Sequence, residues 1–141
     1  MGQKFLENVL VWVGTKEIPG AVANPDIVKF AQYTTLHATS DEVAWCSSFA
    51  NYIVETSGYN GTRSAAARSW LDWGKVLDVP TPGCIVVLDR HDVNNPNAAH
   101  VTFYVCDVDE NTIQCIGGNQ GDMVKPSNYP KSKVLGYRDV E

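Results

Sequence analysis

The sequence predicts an α+β fold. Apolar residues recur at helical spacing through the first half of the chain and alternate at strand spacing through the second. The changeover falls at one turn-forming cluster, Pro80-Thr81-Pro82-Gly83. Helices followed by strands imply helices packed on an antiparallel sheet rather than alternating units on a parallel one. No repeat, low-complexity tract or linker divides 1–141, so a single domain is expected, its helical part over about 1–75 and its sheet over about 83–141.

In the helical part, Phe5, Val9, Trp12 and Val13 have helical spacing over 4–14, and Gly14 closes that segment. Glu17-Ile18-Pro19-Gly20 reads as a turn. Asn24-Pro25-Asp26 opens a second helix, with Asn24 suited to the cap and Pro25 to the first turn. Its apolar face would be Ile27, Val28, Phe30 and Ala31. The polar connection over 34–40 leads to Thr39-Ser40-Asp41-Glu42, which has capping-box spacing. A third helix is expected over 45–56, burying Trp45, Phe49, Ala50, Ile53 and Val54 and stopping at Gly58. After a loop over 59–63, a fourth is expected over 64–73, closed by Gly74.

In the sheet part, 84–89, 100–107, 112–116 and 134–140 read as strands. A hairpin turn is expected over 107–111 and a polar loop, rich in Asn and Asp, over 90–99. Alternation places His100, Thr102, Tyr104 and Cys106 on one face of their strand and Val101, Phe103 and Val105 on the other.

Composition narrows the function. The formal charge of −5, with no basic stripe, argues against nucleic acid as a partner and against simple electrostatic adhesion to anionic membranes or wall polymers. No apolar run is long enough to span a bilayer, so no membrane insertion is expected. The short apolar stretch over 9–13 lacks the features of a signal peptide, so synthesis in the cytoplasm is the expectation. Cys46, Cys84, Cys106 and Cys115 do not have the spacing of a zinc ribbon or a redox pair. Cys84, Cys106 and Cys115 lie in strand-like runs and read as small buried hydrophobes. A Cys106–Cys115 bridge across the hairpin is the lesser alternative.

Cys46 is different, because it falls in the first turn of its helix. Backbone N–H groups and the helix dipole there favour a thiolate. His100 opens a strand far downstream and can act as general base and acid. The segment Gly117-Gly118-Asn119-Gln120 follows, and Asn119 can offer its side-chain oxygen to the ring N–H of His100. The Cys46 N–H, with Trp45 or Ser47 nearby, is a candidate oxyanion hole. The strand returning from the hairpin would bring Asn119 back toward His100. Taken singly, each residue has a plainer reading: a packed Cys, a structural His, a turn Asn. Their occurrence together in this order favours chemistry. His37 and His91 are rival bases but sit in polar segments, where a solvated role suits them.

A helix-borne Cys, a strand-borne His and then an Asn is the chain order of papain-like cysteine hydrolases. Longer stretches carry a closer resemblance. They are Glu17-Ile18-Pro19-Gly20 with Asn24-Pro25, Asp41-Glu42-Val43-Ala44-Trp45-Cys46-Ser47-Ser48-Phe49, the 62–74 segment, Pro82-Gly83-Cys84-Ile85-Val86-Val87, Ala99-His100-Val101-Thr102-Phe103-Tyr104-Val105, Gly117-Gly118-Asn119-Gln120, and Tyr129-Pro130-Lys131-Ser132 with Leu135-Gly136-Tyr137. In these the chain resembles the CHAP and NlpC/P60 superfamily of bacterial and phage cysteine peptidases and amidases, particularly the small single-domain phage lysins.

The resemblance implies a papain-like NlpC/P60/CHAP fold and hydrolysis of an amide bond in bacterial peptidoglycan. The bond would be the muramoyl–L-alanine amide or one within the stem peptide. Cys46 would be the nucleophile, His100 the base and Asn119 the orienting residue. The chain departs from the family pattern at two places. Cys84 stands where an Asp is common, and Gly117 where many members carry a Glu two residues before the Asn. The acidic loop of calcium-binding members is absent, so neither metal nor cofactor is expected. Trp45, Ser47, Arg63, Arg68 and Gln120 are the candidate substrate contacts, the arginines because guanidinium pairs well with stem-peptide carboxylates. Trp70 and Trp73 could share the groove, although helical spacing favours core packing for both.

The expected protein is a monomeric endolysin, made in the bacterial host cytoplasm and acting on the wall in the periplasm. An interbacterial effector amidase with the same chemistry, an acyltransferase using the same triad, and a non-catalytic wall-binding or virion component are the alternatives.

Overall fold

Two helices and a six-stranded sheet form the frame of the computed structural model, which describes residues 2–15, 25, 29–30, 33, 45–64, 66–89, 99–118, 120 and 123–140. The helices are α1, Gly2–Val11, and α2, Cys46–Thr56. The strands are β1 (Lys75–Leu77), β2 (Ile85–Asp89), β3 (Ala99–Asp107), β4 (Thr112–Gly117), β5 (Lys125–Pro130) and β6 (Val134–Asp139). They lie in the order β1-β6-β2-β3-β4-β5, and every pairing is antiparallel. The α+β class expected from the sequence is the class observed. No helix among the described residues is long and apolar enough to cross a membrane.

The run Ile85-Val86-Val87-Leu88 makes β2 a strand buried on both faces, since it has no polar residue to turn toward water. On one face Ile85, Val87, Val101, Phe103 and Ile116 pack with the helices. Phe103 meets Phe49 of α2 edge-on at 6.4 Å and Phe5 of α1 at 6.2 Å. On the other face Cys84, Val86, Leu88, Tyr104, Ile113 and Cys115 form a second cluster, with Leu77, Tyr129, Val134 and Tyr137 packed against it.

Every residue of α2 from 46 to 54 is buried, including Ser47, Ser48 and Asn51. Buried polar groups are tolerable only when bonded, and Asn51 is bonded on every side. Its Nδ2 donates to the carbonyl oxygens of Ser47 (3.0 Å) and Ser64 (3.2 Å), and its Oδ1 accepts from the Arg63 N–H at 2.7 Å. That last bond helps hold Arg63 at φ 57°, a left-handed conformation unusual for a residue with a Cβ. A Cβ on Gly61 would run into Asn51 Oδ1, so the loop closes only with glycine there.

These bonds account for one difference from expectation. The fourth helix, expected over 64–73, is a shorter 3-10 turn, Ala67–Asp72. The Ser64 carbonyl accepts from the Ser47 hydroxyl at 2.7 Å and from Asn51 Nδ2 instead of starting a helical ladder, and the first bond of the turn runs from the Ser69 N–H to the Ala66 carbonyl at 3.1 Å. Strands β1 and β5 were not expected. Each forms one edge of the sheet, and neither has the apolar alternation that marks a strand in sequence.

A third difference concerns Cys106. Tyr104 pairs with Cys115, but the next pair is Cys106 with Gln114, leaving Val105 as a bulge. The bulge swaps the faces of all later residues. Asp107 thereby comes onto the face of Tyr104, whose hydroxyl donates to Asp107 Oδ1 at 2.7 Å. Cys106 turns outward and is exposed rather than buried as expected, and all four cysteines are free, so no Cys106–Cys115 bridge forms. The expected helix at 24–31 (save 25, 29 and 30), the capping box at 39–42 and most of the 90–99 loop lie outside the described residues.

Replacing Asn51 by Leu keeps the shape but leaves the Arg63 N–H without its acceptor, while the Ser64 carbonyl keeps only the Ser47 hydroxyl. The expected loss is about 1–3 kcal/mol, read from urea denaturation. A change below about 0.5 kcal/mol would show that the loop does not depend on this residue.

Candidate active site

Cys46 is the first residue of α2. The first bond of that helix runs from the Phe49 N–H to the Trp45 carbonyl at 2.9 Å. The amides of Cys46, Ser47 and Ser48 lie ahead of it, so the positive end of the helix dipole is concentrated where the thiol is attached. Cys46 is only 5% exposed. His100 is the second residue of β3, pairs with Leu88 of β2 and is 6% exposed. It lies on the sheet face of Thr102 and Tyr104, whereas α2 packs on the face of Val101 and Phe103.

The two faces come together at the end of β4. A Cβ on Gly118 would sit 2.7 Å from Phe49 Cβ and 2.8 Å from two ring carbons of Trp45, so this backbone is pressed against the first turn of α2. A Cβ on Gly117 would press instead on Thr102 Oγ1 and lie 3.2 Å from Gln120 Oε1, on the His100 face. One turn therefore touches the helix that carries Cys46 and the strand that carries His100.

Gln120 is the residue of this turn that reaches the imidazole. Its Oε1 lies 3.0 Å from His100 Nε2 and accepts from Thr102 Oγ1 at 2.6 Å. Its Nε2 donates to the carbonyls of Cys115 (3.2 Å) and Lys125 (2.6 Å), and its backbone N–H donates to the Met123 carbonyl at 2.9 Å. The Tyr129 ring covers the imidazole at 5.7 Å between centroids. The sequence marks Gln120 as a substrate contact, but its side chain is 3% exposed and spent on these bonds. The clue was there: Gln offers the same amide as Asn119, one position along. Asn119 itself lies outside the described residues, as do His37 and His91.

The remaining candidates separate by exposure. Trp45 is 2% exposed and stacks on Phe30 at 6.2 Å. Ser47 is 0% exposed, and its hydroxyl accepts from Trp70 Nε1 at 3.0 Å. Both side chains therefore serve the core and leave no surface for a substrate. Trp70 is equally buried, and Trp73 Nε1 donates to the Asn60 carbonyl at 2.8 Å. The Arg63 guanidinium is held by Glu55, with Nη2 2.6 Å from Oε1. Arg68 is partly buried next to Ala67 in the 3-10 turn. Among the described residues, no group of three or more His, Cys, Asp or Glu could hold a metal ion.

Two of the other thiols are unsuited to nucleophilic work. Burial pushes the Cys84 thiol up to about 12, and burial raises that of Cys115 as well. No known family model, curated protein or solved structure matches the chain.

Two outcomes follow. Gly118→Ala should cost about 1–3 kcal/mol in denaturant unfolding, because the added methyl must displace Trp45 or Phe49. With a thiol-labelling reagent at pH 8, exposed Cys106 should react in the native protein. A thiol at about 12 is ionised there only to roughly one part in ten thousand, so Cys84 should label only after unfolding, as should Cys115. Peptide mapping that finds Cys84 or Cys115 labelled as fast as Cys106 would contradict this burial.

Proposed function

We propose that the protein is a cysteine-dependent amide hydrolase of papain-like architecture acting on bacterial peptidoglycan. The observation that carries this is the turn ending β4, pressed through Gly118 on the first turn of α2 while Gln120 bonds the imidazole of His100. It links a thiol at a helix N-terminus with an oriented ring from a distant strand. The choice of peptidoglycan rests on the resemblance of the Cys, His and Gly-Gly-Asn-Gln segments to wall-degrading enzymes.

In this reading the His100 imidazole takes the proton of Cys46 Sγ, and the thiolate attacks the scissile carbonyl carbon. The carbonyl electrons move onto oxygen, where the amides at the head of α2 stabilise the charge. As they return, the C–N bond breaks, and the imidazolium gives its proton to the departing nitrogen. A water molecule then loses a proton to the imidazole and attacks the thioester. The acid is released and the thiol restored. Low exposure of both groups limits competition from bulk water.

The test uses purified sacculi and permeabilised Gram-negative cells. Wild type should release fragments and clear turbidity, and Cys46→Ala and Cys46→Ser should lose at least about a thousandfold in rate, with chelators without effect. Mass spectrometry identifies the bond: a free lactyl end means amidase, a shortened stem means endopeptidase. Equal clearing by wild type and Cys46→Ala would sink the proposal. Transfer to an added amine in place of water would move it to acyl transfer.

A further inference from the structure

We infer that Gln120 is the positioning residue of His100, holding the neutral ring with its proton on Nε2 and so making Nδ1 the basic nitrogen. For catalysis the inference rests on the hydrolase reading above; the tautomer itself does not.

The amide of Gln120 can face only one way. One of its terminal atoms lies 3.2 Å from the Cys115 carbonyl and 2.6 Å from the Lys125 carbonyl. Carbonyl oxygens only accept, so that atom is the NH2 group, which has two protons for two acceptors. The other atom is the oxygen. It receives the Thr102 hydroxyl at 2.6 Å and faces His100 Nε2 at 3.0 Å. An amide oxygen cannot donate, so Nε2 must carry the proton. A neutral imidazole has one N–H, which leaves the lone pair on Nδ1.

The bond to Oε1 uses that one ring proton, so the role expected of Asn119 falls to its neighbour. The support is rigid. Gln120 is fixed at both ends of its amide and at its backbone N–H. Gly117 leaves the space in which Thr102 and Gln120 meet.

This arrangement sets a requirement of its own. A carboxylate often replaces an amide as partner to a catalytic imidazole. Here Gln120→Glu would turn an anionic oxygen toward the Cys115 and Lys125 carbonyls, where the NH2 now donates. Glu is therefore a poor substitute, despite keeping the acceptor for His100.

Long-range 1H–15N correlation of the full-length, histidine-labelled protein tests this directly. The chain has three His, and the His100 signals are those missing from His100→Ala. At a pH where the ring is neutral, wild type should give the Nε2–H pattern. Gln120→Leu should lose it, and should lower kcat by about a hundredfold or more with little change in KM. Gln120→Glu should not restore the rate.

Thr102→Val serves if Gln120→Leu does not fold, since it keeps the His100 bond and should retain the Nε2–H pattern. A wild-type ring protonated on Nδ1 overturns the inference without any variant. So does an unchanged pattern in Gln120→Leu, a rise in KM with kcat unchanged, or full activity in Gln120→Glu. If wild type cleaves nothing in sacculi yet shows the Nε2–H pattern, the hydrolase reading fails and the tautomer assignment stands.

Discussion

The end of β4 can reach α2 only because residue 118 has no Cβ. That close approach ties the turn that carries Gln120 to the first turn of α2. Aromatic contacts between Phe49 and Phe103 hold the middle of the helix on the sheet. The contact of Gly118 with Trp45 and Phe49 fixes its N-terminal turn. Gly117, one residue earlier, does the same on the opposite face. Two adjacent glycines let a single turn be gripped from both sides.

Much of the fold was legible in the sequence, because its strongest signals come from burial. The unbroken apolar run of β2, the alternation in β3 and the stripe of α2 each state which face meets the core. What was missed has little apolar content. Strand β5, Lys-Pro-Ser-Asn-Tyr-Pro, is defined by pairing with β4 alone, and a local pattern cannot report a partner distant in sequence. The fourth helix failed for the opposite reason. Its residues have helical spacing, but tertiary bonds from Ser47 and Asn51 take the Ser64 carbonyl that a longer helix would use. The bulge at Val105 left no mark either, and one inserted residue was enough to invert the expected side of Cys106.

For the candidate site, chain order and residue type identified Cys46 and His100 as a pair to consider, while the finer assignments depended on geometry. Trp45 and Ser47 flank the cysteine and so looked like substrate contacts, yet flanking positions on a buried helix turn into the core. Gln120 looked like a substrate contact, yet its side chain anchors the turn. Ser47, Asn51 and Gln120 share one logic. Each brings a polar side chain into a dry interior and satisfies it fully, and among the described residues no buried side-chain nitrogen or oxygen lacks a partner. Such groups give specificity to packing that apolar residues alone would leave degenerate.

The outer strand β5 has a consequence for contact between copies of the chain. Pro126 and Pro130 stand exposed in it, opposite Ile116 and Thr112 of β4. A proline nitrogen has no hydrogen to offer, so this border cannot present a continuous row of donors to another chain. The opposite border, β1, is only three residues long. A sheet finished in this way is a poor template for stacking copies edge to edge.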